Sequence, residues 1–135
     1  ATRRMGEAIG VGLAAEGVPY KLFHMATSDR NDVLAEVFKS KAILVGSPTL
    51  NQGLLPTLMP VLEDLRGLRF QNKIGAAFGS YGWSGESPRV IEEHLAAAKI
   101  PLAAESVKAK WQPRPADLAA CETLGRKVAA AVKAG

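Results

Sequence analysis

KIGAAFGSYGWSGES, residues 73–87, sets a run of small and aliphatic residues directly before a loop of glycines and serines that carries Tyr81 and Trp83. A run with no alternation of polar and apolar residues is the pattern of a strand buried on both faces, as in a parallel sheet covered by helices. SPRVIEEHLAAAK follows, with Pro88 placed for the first helical position and Val90, Ile91, Leu95 and Ala98 spaced to face inward. Strand, loop and helix in that order form one unit of an α/β fold.

The same unit recurs on either side. AILVG (Ala42–Gly46) is a second continuous apolar run, followed by the loop SPTLNQGLLP. Next comes a helix carrying Leu58, Val61, Leu62 and Leu65, in which Pro60 is tolerable only within the first turn. Upstream, Met5, Ala8, Ile9, Gly12 and Leu13 recur at helical spacing and predict a first helix ending near Gly17. PYKLFHM (Pro19–Met25) reads as a strand, and Ser28 or Asp29 as the cap of a short helix. Downstream, PLAAESVKA reads as a last strand, and Pro115 opens a helix with Leu118, Cys121, Leu124, Val128 and Val132 on one face.

The alternation predicts an open parallel sheet with helices on both faces, for which the flavodoxin-like order 2-1-3-4-5 is taken as the arrangement. The chain opens on a helix, whereas the central strand of such a sheet precedes its first helix. The expectation is one domain, 1–135, shortened at its N-terminus. That order would leave a gap of about 10 Å, two strand spacings, between the YKLFHM and AILVG strands.

Bulk properties narrow the function classes. A length of 135 residues with 47% hydrophobic content suits one globular domain with its own core. No apolar run approaches the roughly 20 residues needed to span a bilayer, so no membrane role is expected. One cysteine, Cys121, allows no intrachain disulfide and no cysteine cage for a metal. A cytoplasmic location is expected. The net charge of +4 is scattered rather than striped, with the densest patch at Lys108, Lys110 and Arg114. That argues against nucleic acid as a partner and leaves attraction of an anionic ligand or an acidic redox protein.

In open α/β sheets ligands bind beyond the carboxyl ends of the strands, where strand order reverses. Two loops leave neighbouring strands there. Ser47, Pro48, Thr49, Leu50 and Asn51 belong to the first, and Ser80, Tyr81, Gly82, Trp83, Ser84 and Gly85 to the second. Glycines permit close backbone approach, and hydroxyl and amide groups suit the polar edge of a heterocycle. Tyr81 and Trp83 offer planar faces for stacking. The amino end of the first helix, with Thr2, suits a phosphate. A flat ring and a phosphate together point to a mononucleotide. Plainer roles stay open: the aromatics as core cover, Asn51 as a turn residue, Thr2 as an N-cap, and Trp111 packed under the last loop.

AILVGSPTLNQGLLPTLMPVLEDLRGL, NKIGAAFGSYGWSGES and VKAKWQPRPADLAACETLG resemble, almost end to end, the flavodoxin-like domain of the flavodiiron proteins, or A-type flavoproteins, which include rubredoxin:oxygen oxidoreductases and flavorubredoxins. The resemblance implies FMN as cofactor, with SPTLN on one side of the isoalloxazine and SYGWSG on the other. It implies that Thr2 is what remains of the phosphate loop. It also implies an electron-transfer role in an O2 or NO reductase. Electrons would come from rubredoxin or a flavin- or NADH-dependent reductase. They would pass to a diiron site in a separate metallo-β-lactamase-like domain, within a head-to-tail homodimer. Only His24 and His94 are present, so neither that metal site nor any other is expected here. No catalytic residue is expected, and whether the chain alone counts as an enzyme stays open.

A serine hydrolase would need G-x-S-x-G, which GWSGE breaks at Glu86. A receiver domain would need an aspartate where LVGSPT has none. A stand-alone quinone reductase binding the same FMN, and an interaction domain without flavin, remain as alternatives.

Overall fold

The computed structural model describes residues 2–49, 56–68, 70–82 and 85–135. Among them, Ala42–Pro48 (β1), Ile74–Tyr81 (β2) and Val107–Lys110 (β3) form a parallel sheet in that spatial order. Five helices accompany it: α1 (Thr2–Ala15), α2 (Arg30–Lys39), α3 (Met59–Leu68), α4 (Ser87–Ala97) and α5 (Pro115–Ala134).

The central strand shows why the sheet is a double-sided core. Side chains alternate across a strand. Ala77 therefore joins the cluster built by Val33, Val37, Leu62, Leu65, Ile91 and Leu95, while Ala76 and Phe78 join Met5, Ile9, Cys121, Leu124 and Val128 on the other face. Helices α2, α3 and α4 thus cover one side, and α1 and α5 the other. Gly12 and Gly125 make the α1–α5 crossing possible. A Cβ on either would collide with a backbone carbonyl of the facing helix, Glu122 and Ile9 respectively.

Local punctuation follows the sequence closely. The Asp29 carboxylate accepts the Asn31 N–H at 2.7 Å and caps α2. Gly17, at φ 75, ends α1, with Val18 N–H donating to Leu13 O at 3.0 Å and Gly17 N–H to Ala14 O at 3.0 Å. That paired arrangement is a Schellman end. Pro60 falls in the first turn of α3. The Asp117 carboxylate accepts the Arg114 N–H at 2.8 Å at the start of α5.

Three expectations need correction. Pro19–Met25 is not a strand. Its side chains still alternate: Tyr20 and Leu22 lie against Gly10 and Gly6 of α1, and Phe23 and Met25 against the opposite cluster. What it lacks is a ladder, because no described strand runs beside it. For the same reason β1, expected to be buried on both faces, is an edge strand that is only half-buried at Ala42, Ile43 and Leu44. The last strand begins at Val107 rather than Pro101, and Leu102 makes only an isolated bridge to Gly75.

Candidate functional site

Parallel strands bring their carboxyl ends to one edge, and the register sets Pro48 beside Ser80 and Tyr81 beside Lys110. The first turn of α1 reaches the same edge, where the hydroxyls of Thr2 and Ser80 are 2.8 Å apart. The two loops are also tied to each other. Thr49 N–H donates to Ser80 O at 2.9 Å. Ser87 Oγ donates to Ser47 O at 2.8 Å, and Ser87 N–H to Thr49 Oγ1 at 3.1 Å. Ser47 Oγ donates to its neighbour's carbonyl, Pro48 O, at 2.7 Å.

Most of the expected site residues are thereby brought together. Ser47 and Ser80 are buried, and Thr2, Pro48, Thr49, Tyr81, Gly82 and Gly85 are half-buried along the edge. Leu50, Asn51, Trp83 and Ser84 lie outside the described residues. The Thr49 amide is engaged with Ser80 O, so this donor is used to join the loops.

Ser87, fully buried, is the residue that the sequence did not single out. Its only signal was position, a serine directly before a helix-opening proline. Gly79 explains its fit: a Cβ there would overlap both Ser87 Oγ and Ser47 O. Glu86, beside it, has a buried Oε2 without a hydrogen-bond partner among the described residues. A buried acceptor left unpaired is costly unless something donates to it.

Trp111 also differs from expectation. It is 61% exposed instead of packed under a loop, and its backbone takes the left-handed φ of 57. For a residue with a Cβ that conformation costs roughly 1–2 kcal/mol. Its N–H donates to Tyr81 O at 2.7 Å, and its indole lies over Gly82.

The set fits a flavin. Hydroxyls at Thr2, Thr49 and Ser80 and the free N–H groups of the α1 amino end suit phosphate and sugar, Glu86 Oε2 is an acceptor awaiting a donor, and Tyr81 supplies a ring. Two hollows, of about 320 Å³ beside Glu105 and Lys127 and about 430 Å³ beside Ala14 and Tyr20, are lined by other residues. Among the described residues no three His, Cys, Asp or Glu side chains group to hold a metal. Nor is any described helix long and apolar enough to cross a membrane.

A parallel sheet with helices on both faces and a polar, glycine-lined carboxyl edge is the architecture of the flavodoxin-like class. The chain belongs to the flavodoxin family, whose model matches residues 1–125. It is 50% identical over 132 residues to a nitric oxide reductase of Moorella thermoacetica, covering 97% of this chain and 33% of that protein. An anaerobic nitric oxide reductase flavorubredoxin of Aeromonas hydrophila is 43% identical over 130 residues, covering 95% of this chain and 26% of its own length.

Among solved structures, the rubredoxin oxygen:oxidoreductase of Desulfovibrio gigas superposes with a TM-score of 0.95 at 38% identity, over 98% of this chain and 33% of that one. An archaeal flavodoxin superposes with a TM-score of 0.84 at 33% identity, over 98% of this chain and 90% of its own. The chain thus spans between about a quarter and a third of the length of the curated relatives it matches. Membership implies a flavin cofactor.

Proposed function

We propose that the chain is the FMN-binding electron-transfer domain, 1–135, of a longer flavodiiron-type O2 or NO reductase in the cytoplasm. It takes electrons from rubredoxin or from a flavin- or NADH-dependent reductase. It passes them to a diiron site in a metallo-β-lactamase-like domain, within a homodimer. Its similarity to a nitric oxide reductase, a flavorubredoxin and a rubredoxin oxygen:oxidoreductase supports this reading.

The observation that carries it is the Thr2–Ser80 contact, which joins a helix amino end to the glycine-aromatic loop. A phosphate group and a flat ring need those two features side by side. A bound flavin would supply reversible storage of electrons. The chain supplies the rest. The α1 amino end and Thr2 hold the anionic end, Ser80 and Thr49 keep the loops in register, and Tyr81 offers its ring to a stacked plane. Thr49 N–H is engaged with Ser80 O, so this amide serves the loops and not the ring.

Titration of FMN with the chain, read by quenching of flavin fluorescence, tests the reading. Saturable quenching with one FMN per chain is expected. Unquenched flavin, both with this chain and with the longer protein, would refute it.

A further inference from the structure

We propose that Trp111 is a positioning residue of the flavin site, holding the turn at Tyr81–Gly82 from which the aromatic loop departs. Its ligand consequence rests on the flavin reading above; the clamp itself does not.

A tryptophan at φ 57 occupies backbone space that glycine takes freely and ring-bearing residues avoid. Core packing does not account for it, since the residue is 61% exposed. What the left-handed backbone achieves is placement. Trp111 N–H closes the ladder at the Tyr81–Lys110 pair by donating to Tyr81 O at 2.7 Å, and the left-handed φ beyond it turns the side chain toward the loop. Indole atoms Cζ3, Cη2 and Cε3 lie 3.1, 3.3 and 3.6 Å from where a Cβ on Gly82 would stand, so the ring covers a peptide left bare by glycine.

The other shoulder of the loop is held from the same strand. Lys108 Cδ lies 3.0 Å, and Tyr81 Cδ1 3.2 Å, from the corresponding point on Gly85. Side chains from β3 and its end thus brace the loop at Gly82 and at Gly85. Strained backbone retained beside a ligand edge is the pattern of a clamp.

Trp111→Gly separates ring from backbone, because glycine keeps φ 57 and the N–H bond to Tyr81 while removing the indole. Hydrogen exchange without ligand should accelerate about tenfold at the amides of Gly82 and Gly85–Ser87, with Ala76–Gly79 unchanged. FMN affinity should fall about tenfold, with a shifted visible band of the bound flavin, and Trp111→Phe should return it to within about threefold of the parent. Unchanged loop exchange, or unchanged FMN affinity in Trp111→Gly, would overturn the proposal. So would Trp111→Phe binding as weakly as the glycine variant. Should the parent chain take no FMN, the flavin reading fails, and the exchange measurement alone decides whether Trp111 clamps the loop.

Discussion

The hydroxyls of Thr2 and Ser80, 78 positions apart in the sequence, meet at 2.8 Å and fasten the start of α1 to the end of β2. Thr2→Val keeps the shape and removes the hydroxyl. If Thr2 serves the phosphate as well as the fold, FMN affinity falls about tenfold, equivalent to about 1.4 kcal/mol, while riboflavin affinity is unchanged. Parallel titrations with the two flavins check this. An equal loss for both would reduce Thr2 to an anchor.

Gly79→Ala puts a methyl where Ser87 Oγ and Ser47 O already meet. Overpacking of this kind costs about 1–3 kcal/mol, read as a lower urea midpoint. Removing the hydroxyl as well, in Gly79→Ala/Ser87→Ala, should cost less than the two single changes added, because one clash is relieved. Strict additivity would show that the serine does not oppose the methyl.

These two contacts mark how far the sequence could be read. The alternation of buried runs with amphipathic helices placed β1, β2 and the helices, and Asp29, Pro60, Pro88 and Pro115 fixed helix starts. Pairing was not legible. Pro19–Met25 has the composition and side-chain alternation of a strand, yet a strand also needs a neighbour to bond, and the described sheet supplies none. The late start of β3 has the same origin, since Leu102 bridges Gly75 once before the chain leaves the ladder. Of the candidate site, the meeting of Thr2 with the described ends of the two loops at one sheet edge was legible from the order of elements. The Ser87 latch and the left-handed Trp111 did not, because each is defined by the backbone it meets across the edge.

Gly125→Val tests the helix pair that carries Thr2 into place. Every obstacle here is backbone, the Ile9 carbonyl and the Leu13 amide of α1. At Gly79 one of the two, Ser87 Oγ, is a side chain that can swing aside, and valine is the larger addition. The cost should exceed that of Gly79→Ala, at about 3 kcal/mol or more. Since α1 must shift to make room, the variant should lose FMN affinity too, although Gly125 is far from the loops in sequence. Urea unfolding and FMN titration of one preparation read both effects, and retained affinity in a destabilised variant would separate the α1–α5 packing from the site.

Cys121 gives the pH dependence a sign. Burial on α5, and then the negative charge of Asp117, push its thiol up to about 11. The unfolded thiol ionises near its ordinary value of about 8.5. Below that value both states hold the proton and the full stability is present. Above it the unfolded chain releases a proton that the folded chain keeps, so stability declines with rising pH until the folded thiol also ionises, near 11. Comparing Cys121→Ala with the parent isolates this contribution from the other groups that titrate at alkaline pH. The parent should lose stability relative to the variant across that window, while their difference stays constant below it. Parallel curves throughout would mean that the thiol is less sequestered than its complete burial among Leu124 and Val128 implies. The same burial predicts slow alkylation of the native thiol at pH 8, at a rate set by opening of α5 rather than by the reagent.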